Sequence, residues 1–326
     1  MTSDTAAKAL PRFAPLRDAG FVLIERFDLA DVSDPGRLVE AFSAAWGVIV
    51  SSANRLGRDV IESLPALRVI GRTGVGYDAI DVRAATEHGV LVFTTPGTLT
   101  DAVADFTLAH MLASLRHLST LNVSVRTGPW RPIETGHDLH GATVVIIGFG
   151  AIGKAVAKRL HGFSCRIIAV DPLVDEHVCA QLGVEKAELA EALPLADAVT
   201  VHVPLTPSTR ALLGRRELSW LRPSAIVVNT SRGAVIDESA LVDALRDRRI
   251  AGAALDVFDV EPLPAGHPLV TLETVALSPH AASSTFGAIA AMCDAVVAGL
   301  LSFESGRMPD GCLNPEAVPA PTRRRD

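Results

Sequence analysis

Ten short runs of apolar, largely β-branched residues recur along the chain, and between them lie Gly/Pro punctuation and segments of helical period. The runs are continuous rather than alternating, as expected of strands covered on both faces of a parallel sheet. Phe21–Glu25 (FVLIE), Trp46–Val50, Leu67–Gly71 and Gly89–Phe93 form a first set. Thr143–Gly148, Arg166–Val170, Ala198–Val203, Ala225–Asn229, Gly252–Val257 and Thr274–Ser278 form a second. Strand–helix alternation twice over predicts an α/β protein of two layered domains, and 326 residues suffice for two.

Between the sets, Asp101–Thr120 reads as one long helix with Thr100 as N-cap and apolar positions at Ala102, Phe106, Ala109 and Leu112 or Leu115. The turn Thr95-Pro96-Gly97 precedes it, which places the domain crossover near 97–100. An irregular passage, Gly128-Pro129-Trp130-Arg131-Pro132, follows.

With 48% hydrophobic and 21% charged residues the chain is not of the disordered class. A formal charge of −7 argues against a nucleic-acid partner, because neutralising phosphates requires a basic surface. Arg323–Arg325, at the extreme terminus, reads as a solvated tail. Cys165, Cys179, Cys293 and Cys312 have neither disulfide-framework nor zinc spacing, and the N-terminus has no signal-peptide apolar core, so a cytoplasmic location is expected. Thr285–Phe303 is apolar enough to suggest a membrane span, but Asp294 interrupts it and a buried helix is the expectation. No metal is expected.

The strongest local signal is GFGAIG, Gly148–Gly153, directly between a strand and a helix. In a dinucleotide fold Gly148 makes the tight turn, Gly150 lets the backbone approach a pyrophosphate, and Gly153 permits close helix–sheet packing. The free N–H groups at the helix start then hold the phosphates. The next strand ends in Asp171, about 20 residues on, where a carboxylate meets the ribose diol. That acid repels a 2′-phosphate, and Pro172-Leu173-Val174-Asp175 supplies no cation to receive one, so NAD(H) is favoured over NADP(H). The alternative is an ordinary strand-end Asp that caps the next turn.

Delivering a hydride to a 2-keto acid requires a cation for carboxylate and carbonyl, an acid for the oxygen, and a partner that keeps the acid protonated. Arg232, His280 and Glu261 follow the strand runs Ala225–Asn229, Thr274–Ser278 and Gly252–Val257 respectively. Ligands of open parallel sheets bind outside the carboxyl ends of the strands, so the three can share one crevice with GFGAIG. Taken singly, each has a bland reading: Arg232 beside Gly233 binding strand-end carbonyls, Glu261 before Pro262 as a turn residue, His280 after Pro279 as a loop histidine. Their shared placement argues for the set. The other nine histidines, His202 and His267 among them, have no such partners in the pattern and read as structural.

GFGAIG with Asp171, Val201–Gly214, Asn229–Leu245, Ala251–Pro264 and Ser278–His280, in this order, resemble the D-isomer-specific 2-hydroxyacid dehydrogenases, the group of 3-phosphoglycerate dehydrogenase and the glyoxylate/hydroxypyruvate reductases. The resemblance covers roughly residues 65–315. It implies catalytic Arg232, Glu261 and His280, and NAD contacts at Ala151, Ile152, Asp171, Thr230, Ser231 and Asp256, the last to the nicotinamide carboxamide. It also implies that Gly71–Asp81 is the substrate-carboxylate loop, with the N–H groups of Val75 and Gly76 as donors; from its residues alone that stretch is only a Gly-rich turn.

By the same resemblance, a Rossmann-type NAD domain (99–286) is joined to a smaller flavodoxin-like substrate domain (1–98 and 287–326), and the helix from Asp101 lies at a homodimer interface. Where the family opens with a strand, this chain opens with a helix-like segment ending at Ala19-Gly20. The expectation is either a wrongly assigned start or a weakened substrate domain. Thr94 stands where Asn often precedes Thr-Pro-Gly, and Ala-Ala-Ser follows His280. The expected function is NADH-linked interconversion of a small 2-keto acid, such as hydroxypyruvate or glyoxylate, and its D-2-hydroxy acid. Phosphoglycerate oxidation is the runner-up, since only Arg55 and Arg72 lie near the first-domain loops. A reading of another class is an NAD-sensing, corepressor-like binding protein.

Overall fold

The computed structural model describes residues 9–29, 32–128, 130 and 135–317. The first eight residues, Arg323–Arg325, and Pro129, Arg131 and Pro132 of the irregular passage lie outside them. The chain divides into two units, Met1–Leu99 with Thr285–Asp326, and Thr100–Ser284.

In the first unit β1 (Gly47–Val50), β2 (Val69–Arg72) and β3 (Leu91–Phe93) form a parallel sheet in chain order. Successive strand residues point to opposite faces. Val48, Val50, Ile70 and Val92 pack one core with Leu38, Val60 and Ala84. Val69, Leu91 and Phe93 pack the other with Val296, Val297 and Leu300. Each such fully buried aliphatic side chain contributes ~1.5–3 kcal/mol relative to exposure. Val296, Val297 and Leu300 belong to the helix Phe286–Glu304, which is long and apolar enough to cross a membrane but lays this stripe on the sheet. Asp294 within it pairs with Arg12 at 2.6 Å. The free edge of β3 is closed by buried Asn314, whose Oδ1 accepts the Val92 N–H at 2.7 Å.

The second unit holds seven parallel strands: β4 (Thr143–Ile147), β5 (Arg166–Val170), β6 (Glu185–Lys186), β7 (Ala198–Val201), β8 (Ile226–Asn229), β9 (Gly252–Leu255) and β10 (Val275–Leu277). Their spatial order is β10-β9-β8-β7-β4-β5-β6. The chain therefore winds outward in both directions from β4, and the reversal between β4 and β7 opens a crevice at their carboxyl ends. Val145, Ile147, Val199 and Val201 fill the core on one face, and Val144, Ile146, Ala198 and Ile226 fill that on the other.

Three elements differ from the expectation. Phe21–Glu25 forms no strand: Phe21 and Leu23 pack inward, Phe21 on Trp46 at 5.5 Å, while Val22 and Ile24 are 89% and 73% exposed. The strand-like pattern is satisfied there by packing alone. The short strand β6 has no counterpart among the predicted runs, because its two residues are both polar. The long helix is two, Thr100–Leu115 and Leu118–Thr127, broken where His117 takes a left-handed φ of 53°. Thr100 is its first residue rather than its cap, and its buried stripe is Val103, Ala104, Thr107, Leu108, Met111 and Leu115, not Ala102, Phe106 and Ala109. Apolar residues occur on every side of this helix, so the spacing pointed to a face other than the buried one.

Candidate active site

At the end of β4, Gly148 has φ +91°, and a Cβ there would lie 2.6 Å from the His202 carbonyl oxygen of the neighbouring strand end. A Cβ at Gly153 would fall on the Gly148 carbonyl, so only glycine lets the helix Ala151–Leu160 sit this close to β4. At exposed Gly150 a Cβ would meet nothing within 4 Å, which leaves that backbone open to a ligand. The helix ladder starts with Lys154 N–H donating to Gly150 O at 3.0 Å. The N–H groups of Ala151, Ile152 and Gly153 precede the ladder, at the positive end of the helix dipole. A cradle of this shape and donor set fits a pyrophosphate.

Asp171 closes the same turn from the end of β5. Its Oδ2 accepts Phe149 N–H and its Oδ1 accepts Leu173 N–H, each at 2.8 Å. The capping and ribose-binding readings are thus compatible, since each carboxylate oxygen has a second acceptor site.

Glu261 and His280 come together from the loops after β9 and β10. Glu261 Oε2 lies 2.7 Å from His280 Nδ1, and Glu261 Oε1 accepts Phe258 N–H at 3.0 Å. Burial pushes the Glu261 carboxyl up, but the His280 hydrogen bond and charge, the Phe258 N–H and the Arg232 charge outweigh it and hold the carboxyl below the usual range. The Arg232 loop interlocks with this one, because a Cβ at Gly233 would fall on the Phe258 carbonyl. Asn229 shapes the Arg232 turn, donating to Arg232 O at 2.9 Å and accepting the N–H and hydroxyl of Ser231 at 3.0 and 2.9 Å.

Asp256 is 0% exposed. Its Oδ1 accepts the Ser278 hydroxyl at 2.5 Å and Ala281 N–H at 2.8 Å, its Oδ2 accepts Ala282 N–H at 2.8 Å, and its backbone O accepts His280 N–H at 2.7 Å. In this arrangement the carboxylate holds the loop that carries His280. The carboxamide contact that the resemblance implies for Asp256 falls on a buried side chain whose oxygens also anchor the His280 loop. Thr230 is likewise turned inward, its hydroxyl 2.9 Å from that of Thr107, which itself donates to Val103 O at 2.8 Å. Ser231 remains partly exposed.

Several of these groups escaped sequence reasoning. His110 Nε2 lies 2.8 Å from Ser278 Oγ across 168 residues of chain, and no local pattern announces such a pair. His267 does have a partner: its Nε2 lies 3.1 Å from Glu238 Oε1, while Glu238 Oε2 accepts Asp259 N–H at 3.3 Å and so ties down the Glu261 loop. His202 bonds Thr200 Oγ1 through Nε2 at 2.9 Å, and burial pushes its imidazole down to about 3.

In the first unit, the Gly71–Asp81 loop is organised by Arg72, 6% exposed, which donates to Gly76 O at 3.0 Å and to Thr73 O. Thr95 Oγ1 accepts Gly74 N–H at 2.8 Å. With these carbonyls drawn inward, the N–H groups of Val75 and Gly76 donate to no acceptor among the described residues.

Residues 108–282 match the model of the D-isomer specific 2-hydroxyacid dehydrogenase NAD binding domain. The chain is 38% identical over 304 residues to a glyoxylate reductase of Korarchaeum cryptofilum, covering 90% of this chain and 92% of that one. It is 38% identical over 310 residues to a D-3-phosphoglycerate dehydrogenase of Methanocaldococcus jannaschii, covering 94% of this chain but 59% of that longer protein. Among solved structures, the NADPH-dependent glyoxylate/hydroxypyruvate reductase of Sinorhizobium meliloti superposes with a TM-score of 0.82 at 33% identity, over 97% of this chain and 96% of that one.

Proposed function

The protein belongs to the D-isomer-specific 2-hydroxyacid dehydrogenase family, and on that footing we propose that it reduces glyoxylate or hydroxypyruvate with NADH and oxidises the D-2-hydroxy acid in reverse. The observation that carries the reading is the 2.7 Å pair of Glu261 and His280 beside Arg232, at the strand ends of the unit that holds the dinucleotide cradle. When bound, the reduced nicotinamide supplies the hydride to the keto carbon. Arg232 holds the substrate carboxylate and draws charge toward the keto oxygen. His280, its Nδ1 held by Glu261, gives its Nε2 proton to that oxygen as the carbon is reduced, and takes another from solvent. Glu261 fixes the orientation of the ring through Nδ1.

Thr100–Ser284 is the cofactor unit in this reading, with contacts from Gly148, Gly150, Ala151, Ile152, Gly153, Asp171, Thr230, Ser231 and Asp256. The other unit binds substrate, Val75 and Gly76 donating to its carboxylate. Asp171, with no cation in the four residues after it, supports NADH over NADPH, unlike the Sinorhizobium reductase. Phosphoglycerate is the second reading, favoured by the Methanocaldococcus relative, but Arg72 is committed to its own loop rather than to a phosphate. The retained Arg232, Glu261 and His280 favour turnover over a purely NAD-sensing role.

A homodimer through the second unit is supported by the helix Leu118–Thr127, which buries none of its residues and exposes Leu118, Val123 and Val125. Free Cys165, Cys179, Cys293 and Cys312 suit the reducing cytoplasm. Oxidation of NADH and NADPH, each with glyoxylate, hydroxypyruvate, pyruvate, 2-ketogluconate and phosphohydroxypyruvate, tests the reading. Faster NADH oxidation with one of the first two is expected; turnover only with the phosphorylated acid, or NADH binding without turnover, would overturn it.

A further inference from the structure

The helix Thr100–Leu115 presents two buried polar groups one turn apart, and each meets a different loop of the site. Thr107 Oγ1 lies 2.9 Å from Thr230 Oγ1, two residues before Arg232. His110 Nε2 lies 2.8 Å from Ser278 Oγ, two residues before His280. The proton positions follow from the partners. The Ser278 hydroxyl donates to Asp256 Oδ1, so it must accept from His110, which therefore carries its proton on Nε2. Burial, opposed only in part by the Asp256 charge, holds His110 below its ordinary value, which keeps the ring neutral at neutral pH. Nδ1 of the same ring is buried without a hydrogen-bond partner among the described residues, so the ring is held for what its Nε2 does.

From this chain of contacts we infer that His110 is a positioning residue for His280, acting through Ser278 and the Asp256 carboxylate. Ser278 and the backbone N–H groups of Ala281 and Ala282 converge on that carboxylate, and His280 N–H donates to the Asp256 carbonyl. His110 orients the Ser278 hydroxyl toward Oδ1, and Oδ1 in turn fixes the loop that aims the imidazole. Phe106, its ring 4.7 Å from that of His110, sets the orientation of the His110 ring from the preceding turn of the helix. The His110 hydrogen bond goes to Ser278 and not to the Glu261–His280 pair, so its effect falls on placement of the acid rather than on its chemistry.

The kinetic arm of the test rests on the proposed reductase activity, and a second arm does not. Full-length His110→Leu, His110→Gln and Ser278→Ala proteins are compared with wild type in turnover of glyoxylate or hydroxypyruvate, in NADH affinity by fluorescence, and in backbone hydrogen exchange at 278–282. His110→Leu and Ser278→Ala are expected to lower kcat about tenfold and to speed exchange at His280, Ala281 and Ala282 about tenfold, with KM and NADH affinity within about twofold. His110→Gln, which retains a donor near the Nε2 position, should restore both. The double variant His110→Leu/Ser278→Ala should be no worse than the worse single, because both substitutions remove one interaction. Exchange at 278–282 unchanged in His110→Leu, or a His110→Gln protein as impaired as His110→Leu, would overturn the role. A wild-type protein without turnover would overturn the reductase reading alone, and the exchange arm would still decide the positioning role.

Discussion

Glu261 Oε2 and His280 Nδ1 lie 2.7 Å apart, and Glu261 Oε1 is fixed by Phe258 N–H, so the carboxylate is held at both oxygens and the imidazole at one nitrogen. Nε2 is then the His280 ring nitrogen left to exchange a proton with a substrate. The positive φ of His280, 52°, aims the ring, and the backbone bond to Asp256 O secures that conformation.

Replacing His280 by Ala removes the proposed proton donor and leaves the dinucleotide cradle intact. Turnover should fall by about 10²–10⁴ while NADH affinity measured by fluorescence titration stays near wild type. Unchanged turnover would exclude His280 as the acid.

Glu261→Gln tests the carboxylate through acid stability. The folded carboxyl is held below its unfolded value, so the stabilisation it provides is complete above the unfolded range, about pH 4.3, and disappears as pH falls through the lowered folded value. The gap in Tm between wild type and Glu261→Gln should therefore be widest near neutrality and shrink below about pH 4. Thermal unfolding at a series of pH values would show a constant gap if the pairing carried no charge.

Asp171→Asn keeps a side-chain acceptor for the turn but removes the charge that disfavours a 2′-phosphate. NADH should bind more weakly, by about tenfold, and the ratio of NADH to NADPH affinity should narrow. Titration with both cofactors checks it, and a ratio that does not move would place selectivity elsewhere.

The two glycines of the cradle should separate folding from binding. Gly153→Ala places a methyl on the Gly148 carbonyl and is expected to lower Tm and NADH affinity together. Gly150→Ala meets nothing within 4 Å, so it should leave Tm nearly unchanged and weaken NADH binding by crowding the pyrophosphate. Calorimetry of both variants, with and without NADH, distinguishes them.

The parallel α/β architecture is legible in the residues alone, because buried strands must be apolar on both faces and only short continuous runs achieve that. So is the cradle, since the glycine spacing from Gly148 to Gly153 is dictated by local backbone geometry between one strand and one helix. The placement of Arg232, Glu261 and His280 after strand runs is legible too, and a doubly wound sheet collects such positions at one edge. Folding in three dimensions settles which residues meet across long separations: Thr107 with Thr230, His110 with Ser278, Glu238 with His267. It also selects the buried face of Thr100–Leu115, where the pattern pointed to Ala102, Phe106 and Ala109 instead, and it leaves Phe21–Glu25 outside any strand. A strand needs a neighbour's hydrogen-bonding edge as well as its own composition, and a polar pair needs two elements brought to within about 3 Å of each other; neither requirement is local, so neither is written in a stretch of sequence.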